Sequence, residues 1–160
     1  MLKPSASIIL AVMLLAGCGT QETDAERQQA EAKEAHNVAA MQIGLFVTAL
    51  DAYKSSVGEI PSTKQGLQAL RTCPPGLLKS RKWDGPYLTS DASFPSLKKD
   101  LLVDPWGHPY QYRLPGIHKP DSFDVWSVGP DGVDGSQDDI GNWNVPRLGD
   151  MLNPDEHGIK

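Results

Sequence analysis

The sequence predicts an α+β domain: a long N-terminal α-helix packed on a small antiparallel sheet, with a loop-rich middle between them. Three observations predict it. Apolar residues recur at helical spacing as far as Val57, Pro and Gly punctuate residues 72–100, and period-two alternation appears only late, at residues 110–114 and 123–127.

Lys3, an apolar run over residues 8–16 and small residues at its end read as a secretory signal, placed at residues 1–17 and set aside from the fold. Leu15-Ala16-Gly17-Cys18 closes that signal and resembles a bacterial lipobox, in which cleavage precedes a Cys that carries lipid. Lipid on Cys18 would be the membrane anchor, since each buried CH₂ contributes about 0.8 kcal/mol and several chains hold stably. An ordinary cleaved signal with an incidental Cys is the alternative. Gly19 after the Cys, by the enterobacterial sorting rule, points to a periplasm-facing lipoprotein of the outer membrane.

Residues 18–36 are read as a polar helical stalk. Thr23-Asp24-Ala25-Glu26 has the pattern of a capping box, and the helix it opens is expected to run unbroken over residues 24–57 to a stop at Gly58. Its polar first half is a solvated spacer. Its second half carries a stripe of Val38, Met41, Leu45, Ala49 and Tyr53, widened by Ile43, Phe46, Leu50 and Val57. A coiled-coil seam is the competing reading, with fewer than three clean heptads behind it. Ser62-Thr63-Lys64-Gln65 is a second capping box, opening a short helix through Leu70. Strands are expected at residues 110–114 and 123–127, the latter with Phe123, Val125 and Ser127 on one face, and a third around Trp143. The domain proper is placed at residues 37–143, with a polar tail over 144–160.

Composition limits the function. With 160 residues, 39% hydrophobic and a net charge of −5, the chain suits one folded domain with a stalk, and the acidic balance excludes nucleic acid as a partner. Cleavage of the signal would remove Lys3 and no acid, leaving a single cysteine beside Cys18. Cys73, followed by Pro74-Pro75, therefore has no internal disulfide partner and reads as a small half-buried loop residue.

The most informative segment is residues 128–140. Asp131, Asp134, Asp138 and Asp139 crowd into a Gly-rich loop, where their charges would repel and raise one another's pKa. A hard cation removes that conflict, and oxygen ligands without Cys or His suit calcium. The spacing is not that of an EF-hand. A solvated type I turn with Pro130 and Gly132 remains the equal alternative on the residues alone. Elsewhere, His36, His108, His118 and His157 share no metal-like spacing and read as surface or turn residues. Trp83, Trp106, Trp126 and Trp143 read as packing residues, and Asp84 and Asp104 as turn caps. Nucleophile-elbow, P-loop and dinucleotide fingerprints are absent.

Six segments then occur in a telling order: Asp51-Ala52-Tyr53-Lys54; residues 58–70, beginning Gly58-Glu59-Ile60-Pro61; Gly85-Pro86-Tyr87-Leu88; residues 104–113, beginning Asp104-Pro105-Trp106-Gly107; Phe123-Asp124; and Asp138-Asp139-Ile140-Gly141-Asn142-Trp143. Together they resemble the periplasmic domain of the major pseudopilin, the G component, of the bacterial type II secretion system. Ile60 stands where an aromatic is usual and His108 where Asn is usual. The resemblance implies a three-stranded antiparallel sheet under the helix and a structural calcium ion. Its ligands would be the carboxylates of Asp131, Asp138 and Asp139 with the carbonyls of Val128 and Ser136, leaving Asp134 facing solvent.

One departure bears on function. Members of that family begin with a prepilin-peptidase site and a long apolar helix, whereas Cys18-Gly19-Thr20-Gln21-Glu22 leads here into a polar stalk. The expectation is a non-catalytic, lipid-tethered, calcium-stabilised pseudopilin-like lipoprotein, an accessory or structural element of a secretion or pilus-like machine. Its partners would be the membrane, through the anchor, and other secretion-system or pseudopilin proteins. A surface interaction module unrelated to secretion is the alternative. A metal-dependent hydrolase is disfavoured, because a single loop without His or Lys makes a closed site.

Overall fold

The computed structural model of the protein describes residues 23–77, 82–89 and 101–146. Cys18, His157 and residues 147–160 of the expected tail lie outside them. Helix α1 runs over Asp24–Val57. Its capping box forms as the sequence predicts: Glu26 N donates to Thr23 Oγ1 at 3.3 Å, and Thr23 N donates to the Glu26 carboxylate at 2.8 Å. At the other end Gly58 adopts φ 95° and donates its N–H to Lys54 O, a left-handed cap that only glycine takes readily.

The two halves of α1 differ as expected, but the packed stripe is rotated. Ala39, Ile43, Phe46, Leu50, Tyr53 and Val57 are buried, whereas Val38, Met41 and Leu45 are only half-buried. The small residues Ala39, Ala40 and Gly44 are among the buried ones, so size misleads about which face turns inward. Residues 24–34, by contrast, are exposed on every side.

The second box also forms, with Ser62 N donating to Gln65 Oε1 at 2.8 Å. It closes a turn, after which the chain makes a single 3₁₀ turn, Leu67–Leu70, instead of an α-helix running on from the box. Gly66, at φ 58°, separates the two.

The sheet has three antiparallel strands in the order β1 (Gln111–Arg113), β2 (Asp124–Ser127) and β3 (Ile140–Gly141). Val125 faces Tyr112, and Trp126 faces both Gln111 and Gly141. The third strand thus precedes Trp143, whose ring folds back over Gly141 where any side chain would collide with it. Helix α1 packs against β2 and β3. The core joins Ile43, Phe46, Leu50 and Tyr53 of the helix to Leu67, Leu70, Tyr110, Phe123, Val125 and Ile140.

Two tyrosines anchor this packing. The Tyr110 ring meets Phe46 edge-on at 4.9 Å, and its hydroxyl donates to the buried Gln42 at 2.6 Å. Tyr112 donates to Pro61 O at 2.6 Å. Asn144 and Val145 belong to the domain and not to a tail. Val145 packs on the core, and the Asn144 amide accepts from Gly141 N and donates to Asp139 O.

Candidate metal centre

All of β2 is buried on both faces, which the simple alternation of residues 123–127 does not disclose. The outer face is covered by two loops. Asp124 gathers the first: its carboxylate accepts from the N–H groups of Ile117, His118 and Lys119 at 2.7, 2.8 and 3.1 Å. His118 then stacks on Trp143 at 3.7 Å, holding that turn against the end of β3. The second covering loop is the aspartate-rich segment.

That segment starts at the buried Val128 and leaves the sheet through Gly129, whose φ of 66° turns the chain sharply. A Cβ at Gly129 would lie 2.6 Å from the Asp138 carbonyl and carboxylate, so the two arms of the loop touch there and require glycine. Asp131 accepts from Val133 N at 2.8 Å and from the Ser136 hydroxyl at 3.4 Å. The same hydroxyl makes a short hydrogen bond to Asp138, whose other oxygen accepts from Asp131 N at 3.2 Å. The structure therefore brings Asp131, Ser136 and Asp138 together. Asp139 joins from the opposite side, with Oδ2 accepting from Gly135 N at 2.8 Å.

The loop's charges are unequally served. The Ser136 hydroxyl holds the Asp138 carboxyl below the usual range. Burial, reinforced by the charges of Asp134, Asp138 and Asp131, holds that of Asp139 above it. Asp139 Oδ1 is buried with no hydrogen-bond partner. A buried carboxylate oxygen left so costs about 1–3 kcal/mol, and a cation would satisfy it. Among the described residues, no three His, Cys, Asp or Glu side chains converge into a ready-made metal cluster, because several of these carboxylates are spent on the loop's own N–H groups. The donor chemistry nevertheless fits calcium: every candidate ligand is oxygen, and the loop supplies an unsatisfied anionic one.

Asp134 is exposed, as the resemblance implies, but it is also tied to the sheet. Its carboxylate accepts from Trp126 Nε1 at 2.9 Å, pinning the loop to β2. Sequence spacing carries no signal for this bond. Of the other expectations for isolated residues, these hold: Cys73 is half-buried, Asp104 caps the N–H groups of Trp106 and His108, and Trp83 and Trp106 pack against the core, whereas Trp126 and Trp143 meet Asp134 and His118 on the other side of the sheet.

The comparisons with known proteins agree with this architecture. Residues 26–143 match the family described as Type II secretion system (T2SS), protein G. The type II secretion system core protein G of Pseudomonas aeruginosa is 45% identical over 112 residues, covering 67% of this chain and 70% of that protein. Its Pectobacterium carotovorum counterpart is 42% identical over 102 residues, covering 62% of this chain and 57% of its own length. In three dimensions the chain is similar to the major pseudopilin from the type 2 secretion system of enterohaemorrhagic Escherichia coli. The TM-score is 0.56 at 32% identity, covering 74% of this chain and 94% of that one. These relatives are structural components of the secretion system and not enzymes. The match over residues 26–143 and the 45% identity to a core protein G, on a long capped helix packed against a three-stranded sheet, show that the chain belongs to the type II secretion system protein G family.

Proposed function

We propose that the chain is a non-catalytic, calcium-stabilised pseudopilin module of a type II secretion or pilus-like system, held on the periplasmic side by lipid on Cys18. The observation that carries the reading is the first half of α1. Residues 24–34 are exposed and polar, and they continue without a break into the packed half of the same helix. Such a surface suits water around a stalk, since burying its charges in an apolar fibre core would be costly. Among the described residues no helix is long and apolar enough to cross a membrane. Attachment through Leu15-Ala16-Gly17-Cys18 would supply the tether. The role is then docking or accessory, with other secretion-system proteins as partners. Calcium at Asp131, Asp138 and Asp139, with the carbonyls of Val128 and Ser136, would clamp the loop over the sheet and stabilise the fold by linkage.

Radiolabelled palmitate fed to cells expressing the full-length chain tests the tether. The expected result is label in the membrane fraction, lost in Cys18→Ser. Unlabelled protein released from the membrane by salt would overturn the lipid anchor. On the purified chain, chelation should lower the unfolding temperature by several degrees, roughly 4–8 °C per kcal/mol of lost binding. An unchanged temperature would remove calcium from the reading.

A further inference from the structure

We propose that His108, which supplies no ligand, is a positioning residue that presets the aspartate loop for calcium, a role that rests on the calcium reading above. The imidazole reaches from the turn after Asp104 into the start of that loop. Its Nδ1 lies 2.9 Å from Gly129 O. A carbonyl only accepts, so Nδ1 carries the proton and donates. The opposite edge of the ring faces Gly132, where a Cβ would stand 2.9 Å from Nε2. The ring thus fills the concave side of the turn that carries Asp131.

The ring is itself fixed from behind. Buried Asp104 accepts from His108 N at 2.8 Å through Oδ1 and from Ser127 Oγ at 2.5 Å through Oδ2. Ser127 Oγ in turn accepts from Gly129 N at 3.1 Å. Both polar groups of Gly129 are therefore held by one network rooted on Asp104: its N–H through Ser127 and its C=O through His108. Gly129 is the hinge between Val128 and Asp131, and it lies directly beneath Asp138. Fixing it sets the separation of the two arms before any cation arrives; partners that bond a metal's own ligands are worth about 10–100-fold in affinity, and His108, acting one residue away on the hinge beside Val128, should fall at the lower end.

The chemistry singles out the variants. The amide nitrogen of Asn sits on Cγ, as Nδ1 of His does, so His108→Asn can keep the donor to Gly129. His108→Gln places its amide one carbon further out, and His108→Ala removes it. Calcium titration calorimetry on the full-length chain in detergent is expected to show about tenfold weaker binding for His108→Ala. Binding should be near wild type for His108→Asn and weak for His108→Gln, and the metal-free unfolding temperature should fall only by the few degrees that one lost hydrogen bond costs. A purely structural histidine would lower that temperature and leave the dissociation constant alone. Wild-type affinity in His108→Ala, or no advantage of Asn over Gln, overturns the positioning role while the calcium reading stands. A wild-type chain that takes up no calcium overturns both. Should His108→Ala fail to fold, the Asn and Gln pair carries the comparison, since both keep bulk at the site.

Discussion

Asp139 presents its two oxygens to very different surroundings. Oδ2 accepts from Gly135 N, whereas Oδ1 is buried and unpartnered, and three other carboxylates of the loop add to the cost of its charge. Without a cation the residue strains the loop electrostatically, and under the calcium proposal it would become an anchor. Its substitution should therefore change sign with conditions. In chelator, Asp139→Asn is expected to raise the unfolding temperature by roughly 2–4 °C, a modest figure because the side chain is only partly buried and solvent screens the repulsion. In excess calcium the same variant should unfold below wild type. A paired thermal melt decides, and a variant less stable than wild type in both buffers would show that Asp139 serves the backbone alone.

At the scale of elements, α1 is one helix with two kinds of stability. Leu50 is fully buried against the sheet, so Leu50→Ala should cost about 2–5 kcal/mol and lower the global transition. Thr23→Ala removes a cap worth about 1 kcal/mol, yet the turns it caps are exposed. Its effect should appear as faster amide exchange over the first turns of α1, with the global transition unmoved; a shift of that transition would mean that the stalk is coupled to the domain. The helix bounds were legible in the sequence because Thr23, Glu26 and Gly58 are local signals, and local chemistry sets them. The inward face was less legible, since Ala39 and Gly44 are buried although they carry little apolar area of their own. The third strand escaped placement because it is two residues long and defined by pairing with Trp126 and Ser127. In the loop, the run of aspartates and the glycine hinges could be read in order along the chain. The bonds from Trp126 to Asp134 and from His108 to Gly129 could not, because they join residues brought together only by the fold.

For the molecule as a whole, the helix, the loop after Gly58 and the sheet are joined through two phenols that water reaches poorly. Burial, with the charge of Asp104 adding to it, raises the pKa of Tyr110, and burial with a smaller contribution from Tyr53 raises that of Tyr112. Both hydroxyls donate inside the fold, to Gln42 and to Pro61 O, so neither can ionise without losing its bond. A folded-state pKa above the unfolded value of about 10 means that the native state keeps protons the unfolded state releases. The stabilisation is complete below that pH and is lost as pH rises through and beyond it. The limiting slope for one fully protected phenol is about 1.4 kcal/mol per pH unit, and Tyr112, less deeply buried, should contribute less than Tyr110. Urea midpoints measured from neutral to strongly alkaline pH should therefore stay flat and then fall, with phenolate absorbance appearing at the same pH as unfolding. Tyr112→Phe should cost about 1 kcal/mol at neutral pH for its lost hydrogen bond to Pro61 while making the alkaline fall shallower. If every phenol titrated near pH 10 in a chain that stayed folded, the helix would not be sealed against the sheet at Tyr110.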